Sequence, residues 1–262
     1  MARKPRLTIA GYYHIINRGV AKKAILQFSK DKDKFLEILC RCADEYGFVV
    51  HSFCLMDNHY HLLIETSRDN LSHAFRFINS NYAVYYNKKY KREGHLWQGR
   101  FQSSYIASET YLFTLLRYIE QNPLKAGIVK KLSDYEYISF RYFISDNPLP
   151  CLLSSFIYDR FETKKEIAEF LNKIVDQDEE EKVLKEIKND KNLDKQDETK
   201  FFKSLREYFS DNQSKSQRDR QIFQAYKDGW SQGKIAKEIG ISQPAIFKVI
   251  KKFRENNLLI KN

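Results

Sequence analysis

The sequence predicts an α+β fold, in which an antiparallel sheet carries helices on one face and a small all-α module follows. Segments that alternate apolar and polar residues indicate strands near residues 11–18 and 49–64. Apolar residues at helical spacing separate and follow these segments, and the C-terminal stretch has the spacing of a helix-turn-helix. The order strand, helix, two strands, helix is the split β-α-β, or ferredoxin-like, arrangement.

Three strands are predicted in the N-terminal part of the chain. Gly11–Arg18 reads G-Y-Y-H-I-I-N-R and forms the first. Val49–Met56 and Tyr60–Ile64 form the second and third, and the polar step Asp57-Asn58 joins them. The lone histidine of the first strand, His14, is expected to be structural.

Three amphipathic helices accompany these strands. In Lys30–Tyr46 the apolar residues fall at i, i+3, i+4 and i+7, and Gly47 stands where a C-cap glycine belongs. Leu71–Tyr90 carries a second apolar stripe. Ser108–Gln121 is the third helix, with its serine as N-cap and Pro123 as its stop.

A change of composition after about Pro150 divides the chain into three predicted regions. Residues 1–150 form the sheet domain, residues 151–215 a charged helical linker, and residues 216–262 a helix-turn-helix domain. Asp176–Lys200 favours the linker, because charges of both signs alternate there with few apolar residues.

Small residues between two helical segments predict the helix-turn-helix. A helix near Gln221–Tyr226 comes first, then Ala236 allows close packing and Gly240 supplies a tight turn. Ser242 caps a helix over Gln243–Lys252, which takes the position of a recognition helix. A plain helical hairpin is the alternative interpretation.

The charge of the chain indicates a polyanionic partner. Its 262 residues carry a formal net charge of +11 at pH 7, and 42% of them are hydrophobic, which is enough for a packed core. Composition does not separate nucleic acid from anionic lipid. No apolar run approaches the ~20 residues that span a bilayer, and no apolar signal core follows the basic start, so we expect no membrane segment and a cytoplasmic location.

The cysteines Cys40, Cys42, Cys54 and Cys151 form no C-x-x-C pair and indicate no disulfide framework. Cys40 lies in a helical pattern and Cys54 in an apolar strand. Buried thiols are therefore expected at both positions.

His59 and His61 stand two residues apart near the start of the third strand, so their side chains point to one face. They can bind one metal ion, although a turn cap and a half-buried histidine are the alternative. A divalent ion needs more ligands than two imidazoles. Asn122 lies one helical turn after Tyr118, so the third helix can bring an amide ligand for Mg²⁺ or Mn²⁺ and a phenol nucleophile to one phosphodiester.

A basic and aromatic segment, Lys88–Phe101, has a composition that suits single-stranded nucleic acid. A solvated charged loop beside a core tryptophan is the alternative. At the end of the first strand, Asn17 and Arg18 are polar groups suited to phosphate or base contacts. A tyrosine at helical spacing, such as Tyr118, can equally belong to a core.

Three ordered motifs resemble one family. C-L-M-D-N-H-Y-H-L-L-I-E, L-W-Q-G-R-F and L-R-Y-I-E-Q-N-P-L-K-A-G-I-V are similar to motifs of the single-tyrosine HUH transposases, and most similar to the REP-associated tyrosine transposase branch. The resemblance implies the HUH fold, His59 and His61 as metal ligands, Tyr118 as nucleophile and Asn122 as third ligand. In this chain Asp57 stands where many relatives have proline, which alters the turn and adds a negative charge near the metal.

The resemblance also implies an activity. The family cleaves single-stranded DNA near a foldback hairpin, with Mg²⁺ or Mn²⁺, through a 5′-phosphotyrosine intermediate and a free 3′-OH, and its members act as monomers or homodimers. We assign further DNA contacts on chemistry. The candidates for single-stranded DNA are Asn17, Arg18, Lys88, Arg92, Trp97, Gln98 and Arg100, and those for duplex DNA at the helix-turn-helix are Gln243, Phe247, Lys248 and Lys251.

Two other functions use the same residues differently. One is a catalytically silent DNA-binding transcriptional regulator, which the presence of all four residues of the proposed site disfavours. The other is a replication-initiation or relaxase-like nickase, which the motif order disfavours. The leading hypothesis is a transposase-type strand transferase, either of a mobile element or domesticated by its host.

Overall fold

A four-stranded antiparallel sheet forms the centre of the first part of the chain. The computed structural model describes residues 9–106, 108–189, 208–209, 214–227 and 232–260. The strand order is β2-β3-β1-β4, and the strands are β1 Gly11–Arg18, β2 Phe48–Leu55, β3 His59–Thr66 and β4 Gln102–Ile106. The first strand has the predicted bounds, and the next two differ from prediction by one or two residues. β4 was not predicted, because Q-S-S-Y-I shows little apolar alternation after a basic segment.

The predicted helices are present, together with several further short helices. They are α1 Ser29–Tyr46, α2 Leu71–Lys89, α3 Glu109–Glu120, α4 Asn122–Lys125, α5 Ser139–Ile144, α6 Ile157–Arg160, α7 Lys164–Asn172, α8 Gln177–Asn189, α9 Lys215–Lys227, α10 Gln232–Ile239 and α11 Gln243–Ile260. Gly47 ends α1 with a φ of 69°, the left-handed conformation that glycine adopts without strain. Ser108 caps α3 by accepting from the backbone N–H of Tyr111.

Helices lie on both faces of the sheet, so the prediction of helices on one face is wrong. The ring of Tyr60 packs against Phe35 of α1, with ring centroids 4.8 Å apart. The next residue, His61, points to the other face, where its ring lies 6.2 Å from that of Tyr118 on α3. Ser52, on the same face as His61, donates to Glu120 of α3. The helical stripes predicted the helices but could not assign each one to a face.

The core of this part extends beyond the predicted boundary at residue 150. Contacts divide the chain into two units, Met1–Thr66 with Asn70–Leu193, and Ser67–Asp69 with Asp194–Asn262. Ile167 and Leu171 of α7 and Val183 of α8 are buried in the same core as the sheet. The alternating charges of α8 therefore flank a buried valine that anchors the helix.

A disulfide between Cys40 and Cys151 corrects the prediction for Cys40. The two residues are separated by 111 positions, and their Cα atoms lie 4.9 Å apart. Cys151 lies in a 3₁₀ turn, Pro150–Leu152, that packs on α1. No local pattern encodes such a pairing, because it depends on the tertiary fold. Cys54 is a buried thiol, as predicted.

The second unit contains α9, α10 and α11 around a small core of its own. Ile222, Ile235 and Ile246 are fully buried there, and Ala236 is nearly so. Gly240 has a φ of 68° between α10 and α11, the turn that the sequence predicts. DNA binding by this unit stays a prediction. In the part of the chain that the structure describes, no helix is long and apolar enough to cross a membrane.

Candidate active site

The histidine pair lies where β1 and β3 run side by side. His59 pairs with Arg18 and His61 with Ile16 in the antiparallel register. His59 is the first residue of β3, directly after the Asp57-Asn58 turn. The carbonyl of Asn58 accepts from the backbone N–H of Gly19 at 2.8 Å, so the turn is bonded to the end of β1.

The ring of His59 is oriented by its neighbour in the turn. Its Nδ1 lies 2.5 Å from Oδ1 of Asn58. An amide oxygen only accepts, so Nδ1 carries the proton and Nε2 keeps its lone pair. Burial, with a smaller contribution from the charge of Arg18, lowers the pKa of His59 to about 4. The ring is therefore neutral at pH 7, the form that binds a metal.

His61 is oriented by a second buried histidine. Its Nδ1 lies 3.0 Å from Nε2 of His14, and the two rings stack with centroids 5.2 Å apart. Burial, and then the charges of His14, His59 and Arg18, hold the pKa of His61 well below its usual value. In the tautomer that donates Nδ1–H to His14, Nε2 of His61 keeps the lone pair that a metal ion needs. His14, predicted to be structural, is thus the group that orients a site histidine.

His14 is the residue that inspection of the sequence missed. Burial lowers its pKa to about 3, and its Nδ1 has no hydrogen-bond partner within the described ranges. In the register, Ile16 is opposite His61, so His14 lies diagonally across from it on the same face. An antiparallel pairing of the first and third strands in this register is the signal that predicts the contact.

Tyr118 of α3 faces the histidine pair. Its ring centroid lies 6.2 Å from that of His61 and 6.5 Å from that of His14, in edge-to-face orientation. Nζ of Lys125 lies 4.5 Å from the same ring centroid. Burial, and then the charge of Glu180, raise the pKa of Tyr118.

Asn122 begins α4, one helical turn beyond Tyr118. Its Nδ2 donates to the carbonyls of Tyr118 at 2.8 Å and Ile119 at 3.3 Å. With the nitrogen bonded to its own helix, the amide oxygen is the atom left to serve as a ligand. The structure therefore brings the two histidines and Tyr118 together, and it places Asn122 on the same helical stretch as the tyrosine.

The tyrosine helix is held by buried polar contacts with the segment that follows it. Gln121 donates to the carbonyls of Leu171 and Lys173 and accepts from the N–H of Val175. Arg117, 5% exposed, pairs with Glu179 of α8 at 2.6 Å. These contacts fix the rotation of α3 and so the direction in which Tyr118 points. The sequence pattern indicated none of them, because they join residues about 50 to 60 positions apart.

Four of the predicted DNA contacts share one pocket beside the histidines. Its volume is about 380 Å³, and its lining residues are Ile16, Asn17, Arg18, Gln98, Gly99, Arg100 and Gln102. Asn17 is 6% exposed, and its Nδ2 has no hydrogen-bond partner among the residues that the structure describes. The pocket is thus rich in donors and suits a ligand rich in acceptors.

The other candidates for single-stranded DNA are placed differently. Trp97 donates from Nε1 to the carbonyl of Asn79, and its ring packs against those of Tyr60 and Tyr82. This packing favours the core-tryptophan alternative and holds the neighbouring Gln98 and Arg100 in place. Lys88 is exposed, whereas Arg92 lies over the ring of Tyr86.

The candidates for duplex DNA belong to α11. Phe247 is 54% exposed, and Lys248 and Lys251 are also exposed. The side chain of Gln243 lies outside the described residues.

The donor set fits a divalent metal ion. His61 is buried and His59 partly buried, and each is oriented by a hydrogen bond at Nδ1, which is how proteins prepare imidazole ligands. The described ranges contain no cluster of three or more His, Cys, Asp or Glu that could hold a metal. The two imidazoles would therefore form part of a coordination sphere, with Asn122 and substrate oxygens to complete it.

Comparisons with known proteins agree on one family. Residues 8–122 match the IS200-like transposases. A Haemophilus influenzae protein, assigned as a REP-associated tyrosine transposase, is 26% identical over 119 residues, which are 41% of this chain and 68% of the relative.

Two solved structures are similar at lower identity. A REP-associated tyrosine transposase bound to a REP hairpin is 19% identical, with a TM-score of 0.48, over 56% of this chain and 87% of that one. A protein assigned as a transposase, from Deinococcus radiodurans R1, is 20% identical, with a TM-score of 0.34, over 46% of this chain and 97% of that one. Residues 8–122 are thus similar to the IS200-like transposases, and among the curated proteins to a REP-associated tyrosine transposase.

Proposed function

We propose that this protein cleaves and rejoins single-stranded DNA through a covalent link to Tyr118. The observation that carries the proposal is the packing of the Tyr118 ring against the ring of His61, 6.2 Å away, while Nδ1 of His59 and of His61 is hydrogen-bonded, to Asn58 and to His14. A nucleophile beside two prepared ligands is the arrangement that metal-assisted phosphoryl transfer requires. The match of residues 8–122 to the IS200-like transposases supports the same reaction.

The proposed site divides the reaction between three metal ligands and one nucleophile. His59, His61 and Asn122 would hold Mg²⁺ or Mn²⁺, which neutralises charge on the scissile phosphate when bound. The phenol oxygen of Tyr118 loses its proton and attacks phosphorus, and the bond to the 3′ oxygen breaks. This gives a 5′-phosphotyrosine and a 3′ oxygen, which takes up a proton and becomes the free 3′-OH. Attack by a 3′-OH on the phosphotyrosine reverses the step and joins the strands without ATP.

The substrate is proposed to be single-stranded DNA next to a hairpin. The donor-rich pocket of Asn17, Arg18, Gln98 and Arg100 lies beside the histidines, so it can hold the nucleotides that flank the scissile phosphate. The name of the Haemophilus relative associates it with REP sequences, and we extend that association to this chain. The exposed Phe247 and Lys248 of α11 are proposed to contact duplex DNA.

A covalent adduct tests the proposal. Purified protein is incubated with a hairpin-bearing single-stranded oligonucleotide, labelled at either end, and Mn²⁺ or Mg²⁺. We expect an adduct that carries the 5′-phosphate side and a released fragment that a polymerase can extend from its 3′-OH. The adduct should vanish in Tyr118→Phe and upon chelation of the metal.

Tyr111→Phe is the matched control. Tyr111 lies on the same helix, and its hydroxyl donates to the carbonyl of Val183 of α8. Its loss should leave the adduct intact. If the wild-type protein forms no adduct with any divalent metal but still shifts duplex DNA, the chain is a DNA-binding regulator and the proposed enzyme is refuted.

A further inference from the structure

Lys125 is a cation fixed beside the nucleophile. It lies seven residues after Tyr118, two helical turns along α3 and α4, and its Nζ is 4.5 Å from the centroid of the tyrosine ring. The backbone continues across the junction, since the N–H of Lys125 donates to the carbonyl of Gln121 at 3.0 Å. The backbone of Lys125 is therefore held two turns from Tyr118, within reach of its ammonium group.

The ammonium group of Lys125 forms an ion pair with a carboxylate of α8. Nζ lies 2.9 Å from Oε2 of Glu180, and the two side chains are 25% and 35% exposed. α8 is anchored on either side of this pair, because Glu179 pairs with the buried Arg117 and Val183 is fully buried. Glu180 is thus held against the tyrosine site by the fold, unlike a mobile surface residue.

A phosphodiester that approaches Tyr118 meets both charges. Its non-bridging oxygens carry the same charge as Glu180, so they compete with that carboxylate for the ammonium group of Lys125. Electrostatic groups aimed at the reacting phosphate are often the largest single contribution to catalysis. A pair that is one-quarter to one-third exposed is worth little in free energy, so the phosphate can displace the carboxylate.

We propose that Lys125 is a catalytic cation for the scissile phosphate and that Glu180 pairs with its ammonium group until DNA binds. The proposal rests on the proposed function of Tyr118. α8 lies beyond residues 8–122, which match the family, so the carboxylate that pairs with Lys125 comes from a part of the chain outside that match. Substrate binding moves the ammonium from carboxylate to phosphate, and the carboxylate turns to solvent.

Cleavage rates test the proposal under single-turnover conditions, with hairpin-bearing single-stranded DNA and Mn²⁺. Lys125→Met should slow cleavage about 100-fold, as the loss of one charge-stabilising group does elsewhere, while Lys125→Arg keeps most of the rate. Glu180→Gln should raise the rate up to about fivefold, the most that a partly exposed pair is worth. In the Lys125→Met background, Glu180→Gln should change nothing.

Glu181→Gln is the matched control, because it removes the same charge from the next position of α8. Glu181 pairs with Lys185 on the exposed side of the helix and does not reach Lys125. If Glu180→Gln and Glu181→Gln have the same rate, or Lys125→Met stays within twofold of wild type, the proposal is overturned. Thermal unfolding of each variant separates a lost cation from a lost fold.

Binding separates this proposal from the proposed function. Affinity for the same DNA is measured in the Tyr118→Phe background without metal, where cleavage does not occur. Lys125→Met should weaken binding and Glu180→Gln should strengthen it, and both effects should shrink at high salt. If the wild type forms no adduct, the nucleophile assignment fails; if neither variant changes binding, the Lys125–Glu180 proposal fails.

Discussion

Lys32→Met should loosen the turn that carries His59. Lys32 is a nearly buried lysine on α1, with its side chain 8% exposed, and its Nζ lies 2.8 Å from Oδ1 of Asp57. The ammonium also lies 5.5 Å and 5.1 Å from the ring centroids of Tyr135 and Tyr137. Methionine keeps the apolar stem and removes the charge, so the change in the free energy of unfolding measures the contribution of the ammonium group.

The magnitude follows from the exposure of the two partners. A hydrogen bond to a charged group is worth about 1.5–3 kcal/mol, and each cation–π contact adds about 0.5–1 kcal/mol. The side chain of Asp57 is 55% exposed and can return to water, and removing a buried charge recovers its desolvation cost. We therefore expect Lys32→Met to lower the free energy of unfolding by about 1–2 kcal/mol.

The same change should weaken metal binding. The carbonyl of Asp57 accepts from the N–H groups of Ile25 and Leu26, and the next residue, Asn58, orients the ring of His59. Loss of a group that orients a metal ligand typically costs 10- to 100-fold in affinity, and since Lys32 acts one step further away we expect about tenfold. This charge pair also gives the carboxylate of Asp57 a partner in the turn before His59.

Urea unfolding and a Mn²⁺ titration on the folded protein measure the two effects. Lys34→Met is the control, since Lys34 lies on the same helix and pairs with Glu37 at the surface. It should change stability by less than about 0.5 kcal/mol and leave metal affinity unaltered. Equal stability and equal metal affinity for the Lys32 and Lys34 variants would refute the role given to Lys32.

Two predictions concern the support of the tyrosine helix. Burial, opposed by hydrogen bonds from Ser139, Ser52 and the backbone of Phe140, raises the pKa of Glu120 from 4.5 to about 7. The folded state thus binds this proton more tightly than the unfolded state, and stability is lost as pH rises from about 4.5 to about 7. From pH 5 to pH 8, the wild type should lose up to about 3 kcal/mol more unfolding free energy than Glu120→Gln, as measured with urea. The same pH dependence in both proteins would contradict the assignment. Gln121→Ala should cost about 2–4 kcal/mol, because it removes three buried hydrogen bonds, to the carbonyls of Leu171 and Lys173 and from the N–H of Val175. Asn172→Ala, at an exposed amide, should cost less than about 1 kcal/mol.

Local patterns were sufficient for the parts of the site that depend on periodicity. A two-residue period placed His59 and His61 on one face, and a helical period put Asn122 one turn beyond Tyr118. The structure has these residues in the predicted elements, except that Asn122 starts a new short helix. Periodicity works here because each of these relations lies within one element.

Relations between elements could not be read from the sequence. The bond from His14 to His61 crosses 47 positions, and the pair between Lys125 and Glu180 joins the tyrosine region to a helix that composition suggested was a linker. Nor did the helical stripes show that α3 packs on the opposite face from α1. In each case several partners were chemically acceptable, and only packing selects among them.

The residue between the two histidines anchors the strand that carries them. Tyr60 is fully buried, its hydroxyl donates to Oδ1 of Asn79 at 3.0 Å, and its ring packs between Phe35 and Trp97. Because strand residues alternate, anchoring Tyr60 in the core on one face fixes His59 and His61 on the other. The same tryptophan holds the segment that brings Gln98 and Arg100 to the pocket. One aromatic cluster, remote from the chemistry, therefore positions both the metal ligands and the proposed DNA contacts.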